Sequence, residues 1–217
     1  LGPKNYLSTA HEAAPIAITV EGANIMTRNL IIFGQGAFRC HPFVLKEIEA
    51  VNLEDETEAI EQFDIHFFNH IGYTITNAAS SFVRGITDKF TDSPVVDETT
   101  LYYRQINRFS AAFAFLTDIS MLVIGGSLKR KESISARLGD VLSALYLAST
   151  SLKYYEDTGN KESELPLVHW TQKTLLYEAQ EKIHQTLSNF PNKFIAILLG
   201  LIIFPIGRNV SGPTIQE

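Results

Sequence analysis

The residues that could do chemistry begin with a single carboxylate. Glu21 is followed by Gly22, Ala23, Asn24 and Ile25, and seven positions on by Arg28. Before it stands Ala17-Ile-Thr-Val20, a β-branched run that predicts an extended entry. After it, Ile25 to Phe33 reads as a helix. A carboxylate on the threshold of a helix is favoured by the dipole alone and needs no function. The same carboxylate against apolar walls is held back from water and can take a proton near neutral pH. Spacing alone leaves both readings open.

Other clusters are weaker. His66 and His70 stand four apart with Asp64 nearby, a spacing that could bring two imidazoles onto one metal. No third ligand is suitably spaced, and Phe63 and Phe67 dominate the region, so no metal is expected. Gly125-Gly-Ser-Leu-Lys-Arg-Lys131 joins a flexible turn to three cations before a helix. It could meet a phosphate or an anionic lipid, but it lacks the order of a P-loop and reads first as a solvated turn. Phe194 to Phe204 is apolar all round, yet about half the ~20 residues a spanning helix needs. Core burial, a subunit interface and interfacial membrane contact, with Lys193 and Arg208 as flanking cations, stay open for it. Arg137 and Asp140 read as structural, able to support an interhelical ion pair. Cys40, the only cysteine, has no disulfide partner within the chain and reads as a small buried hydrophobe in a reducing compartment.

Composition narrows the class. The 217 residues are 45% hydrophobic, enough for a substantial core, and the net charge of -6 argues against a general nucleic-acid binder. There is no charged start followed by an apolar stretch, and Leu1-Gly-Pro3 reads as the middle of something longer.

Long helices must position these groups. Pro15 is expected to bar a helix from passing Ala14. Gly34 and Gly36 punctuate the run that ends at Phe33, and His41-Pro42 marks the next boundary before a helix from Phe43 to Ala50. Helical spacing then predicts Ala59–Val83, with Ile60, Phe63, Phe67, Ile71, Ile75 and Ala78 as its apolar stripe. It further predicts Thr99–Val123, Lys131–Tyr155, a helix opened by Pro166 and ending at Leu187, and Lys193–Phe204. Long amphipathic helices with short connections predict an all-α, up-and-down bundle.

The stretch Glu21-Gly-Ala-Asn24 with Arg28 resembles the Glu-Gly-Thr-Asn-x-x-x-Arg signature of acyl-CoA dehydrogenases. Further blocks are similar to the large bacterial fatty-acyl-CoA dehydrogenases that carry an extra C-terminal helical domain. They are Leu1-Gly-Pro-Lys-Asn-Tyr6, Leu30-Ile-Ile-Phe-Gly-Gln-Gly-Ala37, Cys40-His-Pro42, Gly125 to Arg130, Ser135-Ala-Arg-Leu-Gly-Asp140, Leu165-Pro-Leu-Val168 and Asn189-Phe-Pro191. The resemblance implies that residues 1–40 are the tail of a catalytic helical domain and 41–217 an appended helical domain. It implies Glu21 as the base that abstracts the α-proton of a medium- or long-chain fatty acyl-CoA, with FAD taking the β-hydride to give a trans-2-enoyl-CoA in fatty-acid β-oxidation. Gly22 would contact substrate, where a missing side chain allows close approach. Ala23, Asn24 and Ile25 would be flavin-side positions, although Ala23 lacks the hydroxyl that the family's threonine offers. The implied partners are an electron-accepting flavoprotein and further copies in a homo-oligomer. The implied location is the cytoplasm, with peripheral contact at the inner membrane as an extension. A non-catalytic interaction or membrane-docking module is the alternative.

Overall fold

The computed structural model describes residues 5–20, 27–87, 91 and 93–214. Among the described residues there is no strand, and the all-α architecture is as expected. Helix α1 (Tyr6–Val20) departs from expectation, because it runs through Pro15 and includes the 17–20 stretch expected to be extended. Proline removes one backbone donor, but its fixed φ is helical, so a helix that starts well before it can continue at the cost of one bond. Among the described residues the run has no strand to pair with, and β-preference is realised mainly in a sheet.

Next comes α2 (Thr27–Gln35), wound as a π-helix, which continues into a short α3 (Gly36–Arg39). The glycines at 34 and 36 therefore do not stop the helix. Cys40, expected to be buried, is exposed instead, because it closes α3, a helix with no buried residue. Helix α4 (Val44–Val51) leads to α5 (Glu56–Ile86), whose first turn is capped by Asp55: its Oδ1 accepts from Thr57 N at 2.8 Å and Glu58 N at 3.0 Å. Then follow α6 (Thr100–Ile124), a tight 3₁₀ turn at Gly125–Arg130, α7 (Glu132–Asp157), α8 (Leu165–Ser188) with Pro166 in its first turn, and α9 (Lys193–Ile203) capped by Asn192.

The core lies between α6, α7 and α8. Phe109 and Leu116 face inward from α6, and Leu138, Val141, Ala148 and Leu152, at helical spacing, from α7. Leu176, Ala179 and Ile183 of α8 complete them. Each such Val, Leu, Ile or Phe side chain contributes about 1.5–3 kcal/mol by leaving water, and each alanine less. By length and composition Thr100–Leu128 is apolar enough to cross a membrane. In the bundle, however, it serves as a central helix and carries the buried Arg108 and Asp118.

Helix α5 differs from its neighbours. Most of its apolar stripe stays outside this core: Ile60, Phe67, Ile71 and Ile75 are exposed, Ala78 packs against the core, and the buried positions are Ser81 and Gly85. Gly85 sits where the chain returns after α9, and a Cβ there would lie 2.7 Å from Pro205 Cδ.

Two buried polar side chains strap down that returning chain. Gln180 Oε1 accepts from Asn209 N at 3.1 Å and Val210 N at 3.0 Å, and its Nε2 donates to Val210 O at 2.8 Å. Arg108 donates to Asn209 Oδ1 at 2.5 Å and reaches Ile203 O at the negative end of α9. Its burial lowers the guanidinium pKa below the ordinary arginine value. Replacing Gln180 by Leu keeps the volume but strands three backbone groups. It should cost about 2–4 kcal/mol in urea unfolding, with amide exchange accelerated first at residues 209 and 210.

Candidate functional site

Glu21, Gly22, Ala23, Asn24 and Ile25 lie outside the described residues. The signature's last member does not. Arg28 Nε is 3.3 Å from Asp140 Oδ1 on α7, and Lys182 Nζ of α8 is 2.8 Å from the other carboxylate oxygen. Asp140 is thus an interhelical ion-pair residue, as expected, but Arg137 is not its partner. Arg137 bonds instead to Ser133 O at 3.0 Å and Gln185 Oε1 at 3.4 Å.

The neighbouring Gly139 explains how α2 comes so close. A Cβ at that position would stand 2.9 Å from Arg28 O, inside any permitted contact, and 3.7 Å from Phe33 Cβ. Phe33 in turn is buried within the bundle's own apolar cluster. Charge and shape therefore dock the same helix on one turn of α7.

Beyond Phe33 the chain forms one wall of a cavity of about 1220 Å³. Phe38 of α3, the exposed stripe of α5 (Phe67, Ile71, Ile75), and Ile119 and Leu122 of α6 make it apolar. Gly125, Gly126 and Leu128 of the turn before α7 also line it. That turn is tied by Ser135 Oγ, which donates to Leu128 O at 3.0 Å.

One polar patch breaks this apolar wall. His41 Nδ1 accepts from the N–H groups of Phe43 and Val44, at 3.2 and 3.1 Å, so it serves as a cap for α4. An accepting Nδ1 places the ring proton on Nε2, which donates to Asp118 Oδ1 at 3.0 Å. Thr74 donates to Asp118 Oδ2 at 2.9 Å. His70 Nδ1 donates to Glu47 Oε1 at 2.8 Å, and its Nε2 lies 3.8 Å from Asp118 Oδ1. The two imidazole rings are 4.5 Å apart.

His41, His70 and Asp118 are thus close enough to share a cation, within 4.8 Å of one another. The donor chemistry does not fit one. The Nε2 of His41 carries a proton, and freeing its lone pair would require giving up two bonds to the start of α4. The patch is a satisfied hydrogen-bond network linking α4, α5 and α6.

Sequence reasoning considered His70 with His66; the fold gives it Glu47 and Asp118 instead. Two signals were legible. An imidazole just before Pro42 and a helix start can cap that start, and a lone acid inside the apolar α6 needs buried donors.

The described residues thus form an all-α bundle on which α2 is docked. Residues 38–216 match the family described as acyl-CoA dehydrogenase, C-terminal, bacterial type, and the chain belongs to that family. No solved structure matches the chain.

Removing the acid at the centre of the network should be costly. Asp118→Leu leaves the His41 Nε2–H without its acceptor and Thr74 with only the His70 carbonyl, 3.1 Å away, and is expected to destabilise by about 2–3 kcal/mol. Adding Zn²⁺ or a chelator should leave the wild-type Tm unmoved; a rise with Zn²⁺ that disappears in Asp118→Leu would mean that the imidazoles do ligate.

Proposed function

We propose that this chain is the C-terminal part of an FAD-dependent acyl-CoA dehydrogenase that converts medium- or long-chain fatty acyl-CoA to trans-2-enoyl-CoA in β-oxidation. The observation that carries the reading is the order of two features. The Glu21-Gly-Ala-Asn-x-x-x-Arg28 signature directly precedes a segment, beginning at residue 38, that matches the family's C-terminal domain. That order also supports residues 1–40 as the tail of a catalytic domain and 41–217 as an appended one.

In this reading Glu21 removes the α-proton of the acyl thioester. A carboxylate does so only if it is poorly hydrated and close to the carbon acid. Gly22 leaves room for the substrate. Bound FAD would supply the acceptor for the β-hydride and the route by which electrons reach an acceptor flavoprotein. Ala23, Asn24 and Ile25 would face the flavin, Ala23 without a side-chain hydroxyl. The exposed α5 stripe supports the idea that further domains of a longer enzyme cover this bundle, since a contiguous apolar face left in water marks an interaction surface. The isolated chain should be inactive.

The test uses the complete enzyme, mixed anaerobically with hexadecanoyl-CoA. Wild type should bleach its flavin, whereas Glu21→Gln, with FAD retained, should slow bleaching by at least roughly 10³-fold. Equal bleaching would move the base elsewhere.

Helix α9 favours a second reading beside the first. Leu199 and Ile203 are buried, while Phe194, Ile197 and Leu201 on the outer face are 70%, 63% and 59% exposed. Eleven residues rise about 16 Å, too short to span a bilayer but suited to lying in its interface. With Lys193 at its start, α9 would place a cytoplasmic enzyme peripherally at the inner membrane. The enzyme should co-sediment with vesicles containing acidic lipid, and Ile197→Asp with Leu201→Asp should release it. A double variant that stays bound excludes α9 as the contact. A wild type that never binds, but loses self-association in the variant, would make α9 a face of the homo-oligomer instead.

A further inference from the structure

We infer that the groove between the end of α8 and α9 seats the phosphate headgroup of an anionic phospholipid. The inference rests on the reading of α9 as a membrane contact and names the lipid which that contact selects. The groove holds about 480 Å³, the size of a small-molecule site, and its lining is of two kinds. Leu187, Ala196, Ile197 and Phe204 make one part apolar. Beside them a Cβ at Gly200 would meet nothing within 4 Å, so the space above that glycine is open to a chain. His184, Lys193 and Arg208 make the other part basic, and no acid is among the lining residues. Both cations keep donors to spare. Lys193 Nζ donates to Ser188 O at 2.9 Å, which engages one of its three hydrogens. Arg208, with its side chain 45% exposed, gives one nitrogen to Glu181 Oε1 at 2.6 Å and keeps the rest of its donor fork.

The chain as a whole is acidic, so the placement of its charges matters. Residues 182–216 contain no Asp or Glu. Residues 47–64 contain eight, and no lysine or arginine occurs from 47 to 83. That acidic stretch belongs to α4 and the first turns of α5, whereas Gly85, at the other end of α5, abuts Pro205 just past α9. The 31 residues of α5 put about 45 Å between its two ends. Charges in physiological salt act over only about 8 Å. An anionic surface at α9 therefore meets the local cations rather than the net charge of -6. The exposed Phe194 and Leu201 enter the acyl boundary beside the groove.

The experiment titrates the complete enzyme with vesicles of phosphatidylcholine, pure or mixed with phosphatidylglycerol, and measures co-sedimentation. Two cations at an anionic surface should make the mixed vesicles bind about 25-fold more tightly. Lys193→Gln and Arg208→Gln should each remove about fivefold of that preference and leave binding to pure phosphatidylcholine unchanged. Glu181→Gln releases Arg208 from its internal partner and should tighten binding to the mixed vesicles, a gain that no loss of stability would give. Inorganic phosphate at matched ionic strength should not release the enzyme, since it offers the groove no acyl chain. Equal affinity for the two vesicles overturns the inference and leaves the α9 contact standing. So does a preference that survives in the Lys193→Gln, Arg208→Gln double variant. If that variant does not fold, unchanged or weaker binding by Glu181→Gln overturns the inference instead. Release by inorganic phosphate would make this a free-phosphate site and overturns it too. A wild type that binds neither vesicle overturns the headgroup site and the membrane reading together.

Discussion

Everything in this bundle depends on α7 being able to serve two partners at once. Its apolar stripe, Leu138, Val141, Ala148 and Leu152, closes against α6 and α8 and makes the core. The turn that carries Gly139 and Asp140 receives α2. The two duties need opposite chemistry: bulk and hydrophobicity for the first, absence of a side chain and a negative charge for the second. Because close-packed interiors tolerate little displacement, α2 takes its place from the helix that anchors the core.

Buried polar groups then fix what apolar packing leaves adjustable. Hydrophobic contact is non-directional and lets helices slide by fractions of a turn. Asp118, Gln180 and Arg108 do not permit that, since each finds its partners on another part of the chain. Gln172 is a further case, donating from α8 to Ala148 O on α7 at 2.9 Å. A slip of one residue would leave these groups unpaired in a low-dielectric interior, at a cost of about 1–3 kcal/mol each.

The surface carries the opposite imbalance. Most of the α5 stripe and the outer face of α9 are large apolar side chains left in water. The α5 face opens onto the cavity beside residues 33–39, and α9 packs against both α5 and α8. Membership of a dehydrogenase C-terminal family gives both a rationale, because a domain appended to an enzyme must meet the rest of it and its surroundings.

The sequence by itself determined the helices and their ends. Helical spacing located α4 to α9 within a few residues, and Pro166 marks a start that needs only neighbouring atoms to work. The four-residue signature and its ordered companions pointed to the family. The local rules misjudged Pro15 and the 17–20 run, for which the described residues offer no partner strand to favour extension. They also placed the α5 stripe on a face without saying what that face would meet. His70 with Glu47, and Asp140 with Arg28 and Lys182, were beyond reach for the same reason. A helical period is set by neighbours three and four residues away, but which face is buried and which charges meet depends on chain tens to more than a hundred residues distant. Only the tertiary structure could decide that α7 would hold both the core and the helix that follows Glu21.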